Sequence, residues 1–318
     1  MKKPIIVLTG PTAVGKTEIS IELAKAVGGE IISADSMQVY KQMDIGTAKI
    51  KKEQMQGVPH YMIDEWNPDE EFNVMIFQKR VKEIMEDIYN RGKIPILVGG
   101  TGFYIQAVLN DIAFTKEKQG DEIRADLQNL AKEKGTSYLH KKLQKVDKES
   151  AEAIHPNNVK RVIRALEYFQ STGQKFSEHN KEERQKKSPY NFLYLVLTMN
   201  REVLYERIDK RVDQMMEEGL VKEVKQLLDA GYSRNLVSMQ GLGYKEIASA
   251  LFKECTMDEA VYRLKRDTRH FAKRQMTWFR RERDVTMIDK DIFSDNHEIV
   301  NYIMKLAAEK GICSCREG

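Results

Sequence analysis

The chain opens on an unbroken apolar run, Pro4-Ile-Ile-Val-Leu8, which stops at Thr9-Gly10-Pro11. Apolar positions without alternation, rich in β-branched side chains, predict a short strand buried on both faces. The period then changes. Between Lys16 and Val27 the apolar residues Ile19, Leu23, Ala24 and Val27 share one helical face, and Gly28-Gly29 stops the pattern. Glu30–Ala34 and Ile94–Val98 repeat the strand signal, and between them Val74, Phe77, Val81, Ile84 and Ile88 form the stripe of a helix over Asn73–Asn90. Leu193–Met199 is one more apolar strand. Strands alternating with helices predict an α/β fold: a parallel sheet flanked by helices.

From Thr115 to Pro189 the texture is different. Strand-like runs vanish, Lys and Glu dominate, and helical patterns cover Asp121–Lys134, Ser137–Val146 and Asn158–Ser171. This predicts an all-helical domain at 115–189 inserted into a core made of 1–114 and 190–318, with a helical C-terminal part after Asn200. Composition agrees. With 318 residues, 41% hydrophobic and 31% charged, the chain can bury a core and is neither collagenous nor wholly disordered. No apolar run approaches the roughly 20 residues of a membrane span, and the start, Met-Lys-Lys-Pro, lacks the apolar region of a secretory signal. A cytoplasmic protein with no membrane partner is expected. Cys255, Cys313 and Cys315 are too few for a disulfide framework, and the last two read as a frayed tail.

The formal charge of +4 conceals an uneven distribution: Arg263–Arg283 holds nine Lys or Arg against two acids. Leu264, Phe271 and Trp278 recur every seven residues there, with Ala272 and Phe279 adjoining, and are expected to face the core. Arg266, Arg269, Lys273 and Arg280, with Arg274 beside them, form a separate basic ridge. Such a ridge suits a polyanion or is simply a solvated face.

The most specific local chemistry is Gly10-Pro11-Thr12-Ala13-Val14-Gly15-Lys16-Thr17, a G-x-x-x-x-G-K-[ST] loop placed between a strand and a helix. Its backbone N–H groups and the helix N-terminus converge on phosphate oxygens. Lys16 reaches an outer phosphate and the Thr17 hydroxyl suits Mg²⁺. The fold is therefore expected to be P-loop NTPase-like. A nucleotide hydrolase would end Ile94–Val98 in an acid holding metal and water; here Gly99-Gly100-Thr101-Gly102 follows instead. The acid must come from elsewhere, and Asp35, at the end of the second strand, faces the same crevice beyond the carboxyl ends of the sheet. It is the candidate base, or a contact to the metal through water.

These pieces together resemble the bacterial tRNA dimethylallyltransferases. The matching segments are GPTAVGKT at 10–17, DSMQVY at 35–40, GVPHYMID at 57–64, GGTGFY at 99–104, RALE at 164–167, QGLGYKE at 240–246 and TRHFAKRQMTWFR at 268–280. One departure is His60-Tyr61, where the family often has two histidines, so His60 is given no catalytic role. The resemblance implies transfer of a dimethylallyl group from its diphosphate to N6 of the adenosine 3′ of the anticodon, with Mg²⁺ as cofactor. Lys16, Asp35 and Thr101 would be catalytic, with Arg207 and Arg211 completing the clamp on the diphosphate or gripping RNA. By the same resemblance Asp35, Ser36, Met37, Gln38 and Thr101 would frame the adenine. Arg124, Asn158, Lys160, Arg161 and Arg164 on the insert, and Arg269, Lys273, Arg274 and Arg280 after it, would hold the anticodon stem-loop. A monomer is expected. Two alternatives stay open on sequence: a P-loop small-molecule kinase using ATP, and a nucleotide-gated RNA-binding module.

Overall fold

The computed structural model describes residues 2–114 and 120–313. The chain divides into two compact units, Met1–Leu109 with Pro189–Gly318, and Asn110–Ser188.

The first unit is built on a six-stranded parallel sheet: β1 (Lys3–Thr9), β2 (Gly29–Ser33), β3 (His60–Tyr61), β4 (Ile94–Gly99), β5 (Tyr190–Thr198) and β6 (Val285–Asp289). The spatial order is β3-β2-β4-β1-β5-β6, which makes β1 a central strand paired on both sides, with Ile6 opposite Ile96 and Leu193. Its apolar run has no polar face because neither face meets water. Ile5 and Val7 join the core under α2 (Val74–Asn90) and α12 (Met257–Phe279), whereas Ile6 and Leu8 pack with α1 (Lys16–Val27), α9 (Arg201–Glu218) and α13 (Asn296–Glu309).

Helix ends follow local chemistry. Asn73 caps α2, its side-chain oxygen accepting from the N–H groups of Met75 and Ile76 at 2.9 and 3.1 Å. Gly28 ends α1 in the left-handed region, φ 63°, and Gly29 already begins β2. α3 (Gly102–Leu109) follows β4, and α10 (Leu220–Asp229) and α11 (Tyr244–Leu251) lie between α9 and α12.

Two strands escape the sequence patterns. β3 has two residues, too few for a period to show. β6 lies within the stretch expected to be helical, and only Ile288 of its five residues is buried, because it is the edge strand beyond β5. The C-terminal part is thus helical except for β6.

The second unit contains five helices among its described residues: α4 (Gly120–Lys134), α5 (Thr136–Val146), α6 (Lys148–Ala153), α7 (Val159–Thr172) and α8 (Phe176–Gln185). Leu139, Leu143, Val162 and Leu166 form its small core. Buried Asp147 caps α6 through Ser150 N–H at 3.0 Å and holds the start of α8 through Ser177 N–H at 2.9 Å. The first boundary of this unit falls at the end of α3, a few residues before the change in composition at Thr115.

Candidate active site

The strand order produces the site. β1 and β2 are separated by β4, so the loops leaving these three strands meet at one crevice above their carboxyl ends. A cleft of about 530 Å³ opens there, lined among others by Thr12, Lys16, Thr17, Asp35, Arg207 and Arg211.

The P-loop curls as its glycines require. Ala13 takes φ 65° and Gly15 φ 94°, so successive N–H groups turn toward one point ahead of α1. Val14 is buried beneath the loop and Thr17 is exposed at its mouth. Lys16 Nζ folds back to donate to the carbonyls of Gly10 and Pro11 at 3.0 and 2.9 Å. Burial, then the nearby Arg211 guanidinium, bring its pKa down to about 7, while Asp35 pulls the other way. Arg211 donates to Thr12 Oγ1 at 3.3 Å, and burial lowers its pKa too. Among the described residues neither Arg207 nor Arg211 is ion-paired, although Asp209 lies on the same helix; Asp209 binds Arg269 instead. Among the described residues this arginine pair is therefore not part of a salt-bridged surface. Unpaired cations gathered in a cleft call for an anion.

Asp35 reaches the cleft from just beyond β2. Its Oδ1 accepts from the N–H of Met37 at 2.8 Å, closing the turn through Ser36, and among the described residues Oδ2 has no hydrogen-bond partner. The cleft's other carboxylate, Glu18, accepts from Asn296 Nδ2 through Oε2 at 3.0 Å. Two neighbours of Asp35 differ from the sequence-based expectation. Gln38 lines the cleft, but its amide is engaged: its Oε1 accepts from Ser33 Oγ at 3.0 Å and its Nε2 donates to Thr47 O at 3.2 Å. It fixes the wall of the cleft rather than offering a free edge to a base. Met37 packs against Gly241. Thr101 follows the lining residues Gly99 and Gly100; its N–H donates to Ala34 O at 3.2 Å and its carbonyl starts α3.

Sequence reading missed Gln275. Buried on α12, it accepts from Thr12 N–H at 2.9 Å and donates to Gly100 O at 3.0 Å, so one amide ties the P-loop to the loop after β4. Gly100 is required for that approach, since an added Cβ would stand 2.1 Å from Gln275 Nε2. Its place in AKRQ, directly after Lys273 and Arg274, was the only signal. Gln275→Ala strands a buried N–H and a buried carbonyl, at about 1–3 kcal/mol each. We expect a lowered Tm and a donor KM raised about tenfold, with Gln275→Glu, which keeps the Thr12 acceptor, intermediate. Calorimetry and steady-state kinetics check this; a lower Tm with unchanged donor KM would mean that Gln275 only stabilises the fold.

The basic ridge of α12 is half neutralised. Arg266 pairs with Asp267 at 2.8 Å, Lys265 with Asp213 at 2.6 Å, and Arg269 with Asp209. Lys273, Arg274 and Arg280 are exposed and, among the described residues, have no acidic partner. The expected heptad stripe is also shifted: Leu264, Ala272 and Phe279 are buried, whereas Phe271 lines the cleft and Trp278 is half-buried. On the helical insert, Arg124 and Arg164 are held by buried Glu167 at 2.7 and 3.3 Å, while Asn158, Lys160 and Arg161 are exposed at the start of α7. On the sheet edge His60 donates through Nδ1 to Val58 O at 2.8 Å, a structural role.

Comparison with known proteins agrees with this geometry. The sequence pattern of the IPP transferase family matches residues 38–282. The tRNA dimethylallyltransferase of Lachnoclostridium phytofermentans is 57% identical over 310 residues, covering 98% of this chain and 99% of that protein. That of Acetivibrio thermocellus is 50% identical, covering 97% and 98%. Among solved structures, the full-length tRNA isopentenylpyrophosphate transferase of Bacillus halodurans is 46% identical with a TM-score of 0.73, covering 98% of each chain. A eukaryotic dimethylallyltransferase acting on tRNA is 30% identical with a TM-score of 0.82, covering 99% of this chain and 81% of that one. By the match over residues 38–282 and relatives at 50–57% identity along nearly its whole length, this chain belongs to the IPP transferase family.

Proposed function

We propose that the protein is a tRNA dimethylallyltransferase that moves a dimethylallyl group from dimethylallyl diphosphate to N6 of the adenosine 3′-adjacent to the anticodon. The observation that carries the reading is the cleft itself: Lys16, Arg207 and Arg211, none of them ion-paired among the described residues, line it together with Asp35, whose Oδ2 has no hydrogen-bond partner among the described residues. The P-loop N–H groups, Lys16, Arg207 and Arg211 bind the diphosphate of the donor. As the bond from the allylic carbon to oxygen breaks, both electrons leave with diphosphate, and these cations take up the charge. The adenine amine forms the new carbon–nitrogen bond, and Asp35 accepts the proton it sheds. An adenine paired in a stack cannot reach this cleft, so the nucleotide turns out of the anticodon loop to enter it.

Mg²⁺ is part of the proposal. Among the described residues no cluster of three His, Cys, Asp or Glu could hold a metal by itself. The oxygen donors Thr17 and Asp35 fit a cation that keeps its waters and is bound by one or two protein oxygens plus phosphate. Bound there, it would supply charge neutralisation at the diphosphate. Lys273, Arg274 and Arg280 on α12, with Lys160 and Arg161 on the insert, are the exposed cations available for RNA phosphates. Among the described residues no helix is long and apolar enough to cross a membrane; a cytoplasmic monomer acting on tRNA suits the reading. The relatives leave the kinase alternative without support.

The test is direct. Purified protein, Mg²⁺, labelled dimethylallyl diphosphate and unmodified tRNA are incubated, the RNA is digested, and nucleosides are separated; labelled ATP replaces the donor in a parallel tube. A prenylated adenosine with ATP untouched is the expected result. ATP consumption without prenyl transfer would return the protein to the kinases.

A further inference from the structure

We infer that Lys290 is a further diphosphate-binding residue, a fourth cation brought to the P-loop from the far end of the chain; this rests on the proposed donor site. Lys290 follows β6 and lies outside the segment that matches the family pattern. Its ammonium nitrogen stands 2.9 Å from the point that a Cβ on Gly15 would occupy, and Arg207 Nη2 stands 3.5 Å from the same point. Two cations thus converge over one glycine of the phosphate loop. Among the described residues neither makes an ion pair; Lys290 Nζ donates only to the neutral Asn296 Oδ1, at 3.2 Å. Like charges held this close disfavour one another: burial, then Arg207, lower the Lys290 pKa, while Glu18 and Asp291 pull the other way. An anionic ligand over Gly15 relieves both penalties.

The loop is built to keep Lys290 there. Asp291 Oδ2 accepts from Asn200 N–H at 2.6 Å, and Asp289 Oδ1 accepts from Asp291 N–H at 3.1 Å. Asn200 is the N-cap of α9, the helix that carries Arg207 and Arg211, so the Lys290 loop and the two arginines move as one frame. Gly15 has no side chain, which leaves the space between the loop and Lys290 open to a phosphate oxygen.

The experiment uses Lys290→Met and Lys290→Arg in the full chain, with Asn296→Ala as the control for the Lys290–Asn296 link. Three quantities are read: donor KM, the inhibition constant of inorganic diphosphate, and the tRNA Kd. A lost charge-assisted contact predicts about a tenfold rise in the first two for Lys290→Met. Lys290→Arg, which keeps the charge, and Asn296→Ala stay near wild type, and the tRNA Kd is unchanged in all three. Equal losses in Lys290→Met and Lys290→Arg, or the same losses in Asn296→Ala, would overturn the assignment in favour of a structural link. So would unchanged constants in Lys290→Met. Wild-type protein that transfers no prenyl group at all would defeat the donor-site reading instead, and the two failures are told apart by that first tube.

Discussion

Asp35→Asn is expected to slow prenyl transfer by about 10²–10⁴-fold while leaving tRNA affinity intact. The substitution is close to isosteric, and an amide oxygen can still accept from Met37 N–H, so the turn at Ser36 survives. What disappears is the negative charge and the site for the amine's proton. Removing that charge lifts a repulsion from the donor diphosphate but also withdraws the support that Asp35 gives to the charges on Lys16 and Arg211. Single-turnover transfer with saturating tRNA, paired with separate binding titrations, checks the claim. A loss of rate matched by an equal loss of tRNA affinity would make Asp35 a recognition residue rather than a base.

Lys16→Met is expected to cost about 10²–10³-fold in transfer rate, the scale seen when one donor to a developing anion is removed. The lysine carries a further signature. With its pKa lowered to about 7, much of its charge is lost in the free enzyme just above neutrality. An arriving diphosphate favours the ammonium and raises that pKa, so binding takes up a proton. Diphosphate affinity must therefore fall as the pH rises above 7, and calorimetry in buffers of different ionisation enthalpy is expected to detect the uptake. In Lys16→Met the uptake attributable to this group vanishes. Uptake that persists unchanged in the variant would place the titrating group elsewhere. The fold obeys the same linkage with its own sign: unfolded Lys16 holds its proton up to about 10.5, the folded one only to about 7, so this group favours the folded state increasingly as pH rises between those values.

The contiguous parts of the site were legible in the sequence. The P-loop declares itself because all its chemistry falls within eight residues between a strand and a helix, and Asp35 because it ends a strand whose neighbours also open on the cleft. The parts that depend on distant segments were not. Gln275 meets Thr12 across 263 positions, and no local pattern separates a buried bridging amide from a surface one. Lys290 follows an edge strand whose single buried residue leaves no period to read. The basic ridge on α12 looked larger than it is because the acids that answer it, Asp209 and Asp213, lie on α9. Gln38 misled for a similar reason: the carbonyls of Thr47 and Ala48 that claim its amide belong to a loop with no sequence signature. On the insert, the pairing of Arg124 with Glu167 becomes visible only once α4 and α7 are packed together, whereas Arg164 and Glu167 stand three apart on α7.

The central claim is that the P-loop here holds a leaving group awaiting an acceptor, not a phosphate awaiting water. Its most direct test is stoichiometric: released diphosphate and prenylated adenosine are measured in the same reaction, with and without tRNA. One diphosphate per prenyl group, with none released when tRNA is omitted, is the predicted result. Diphosphate set free at the same rate without tRNA would contradict the account and make the cleft hydrolytic.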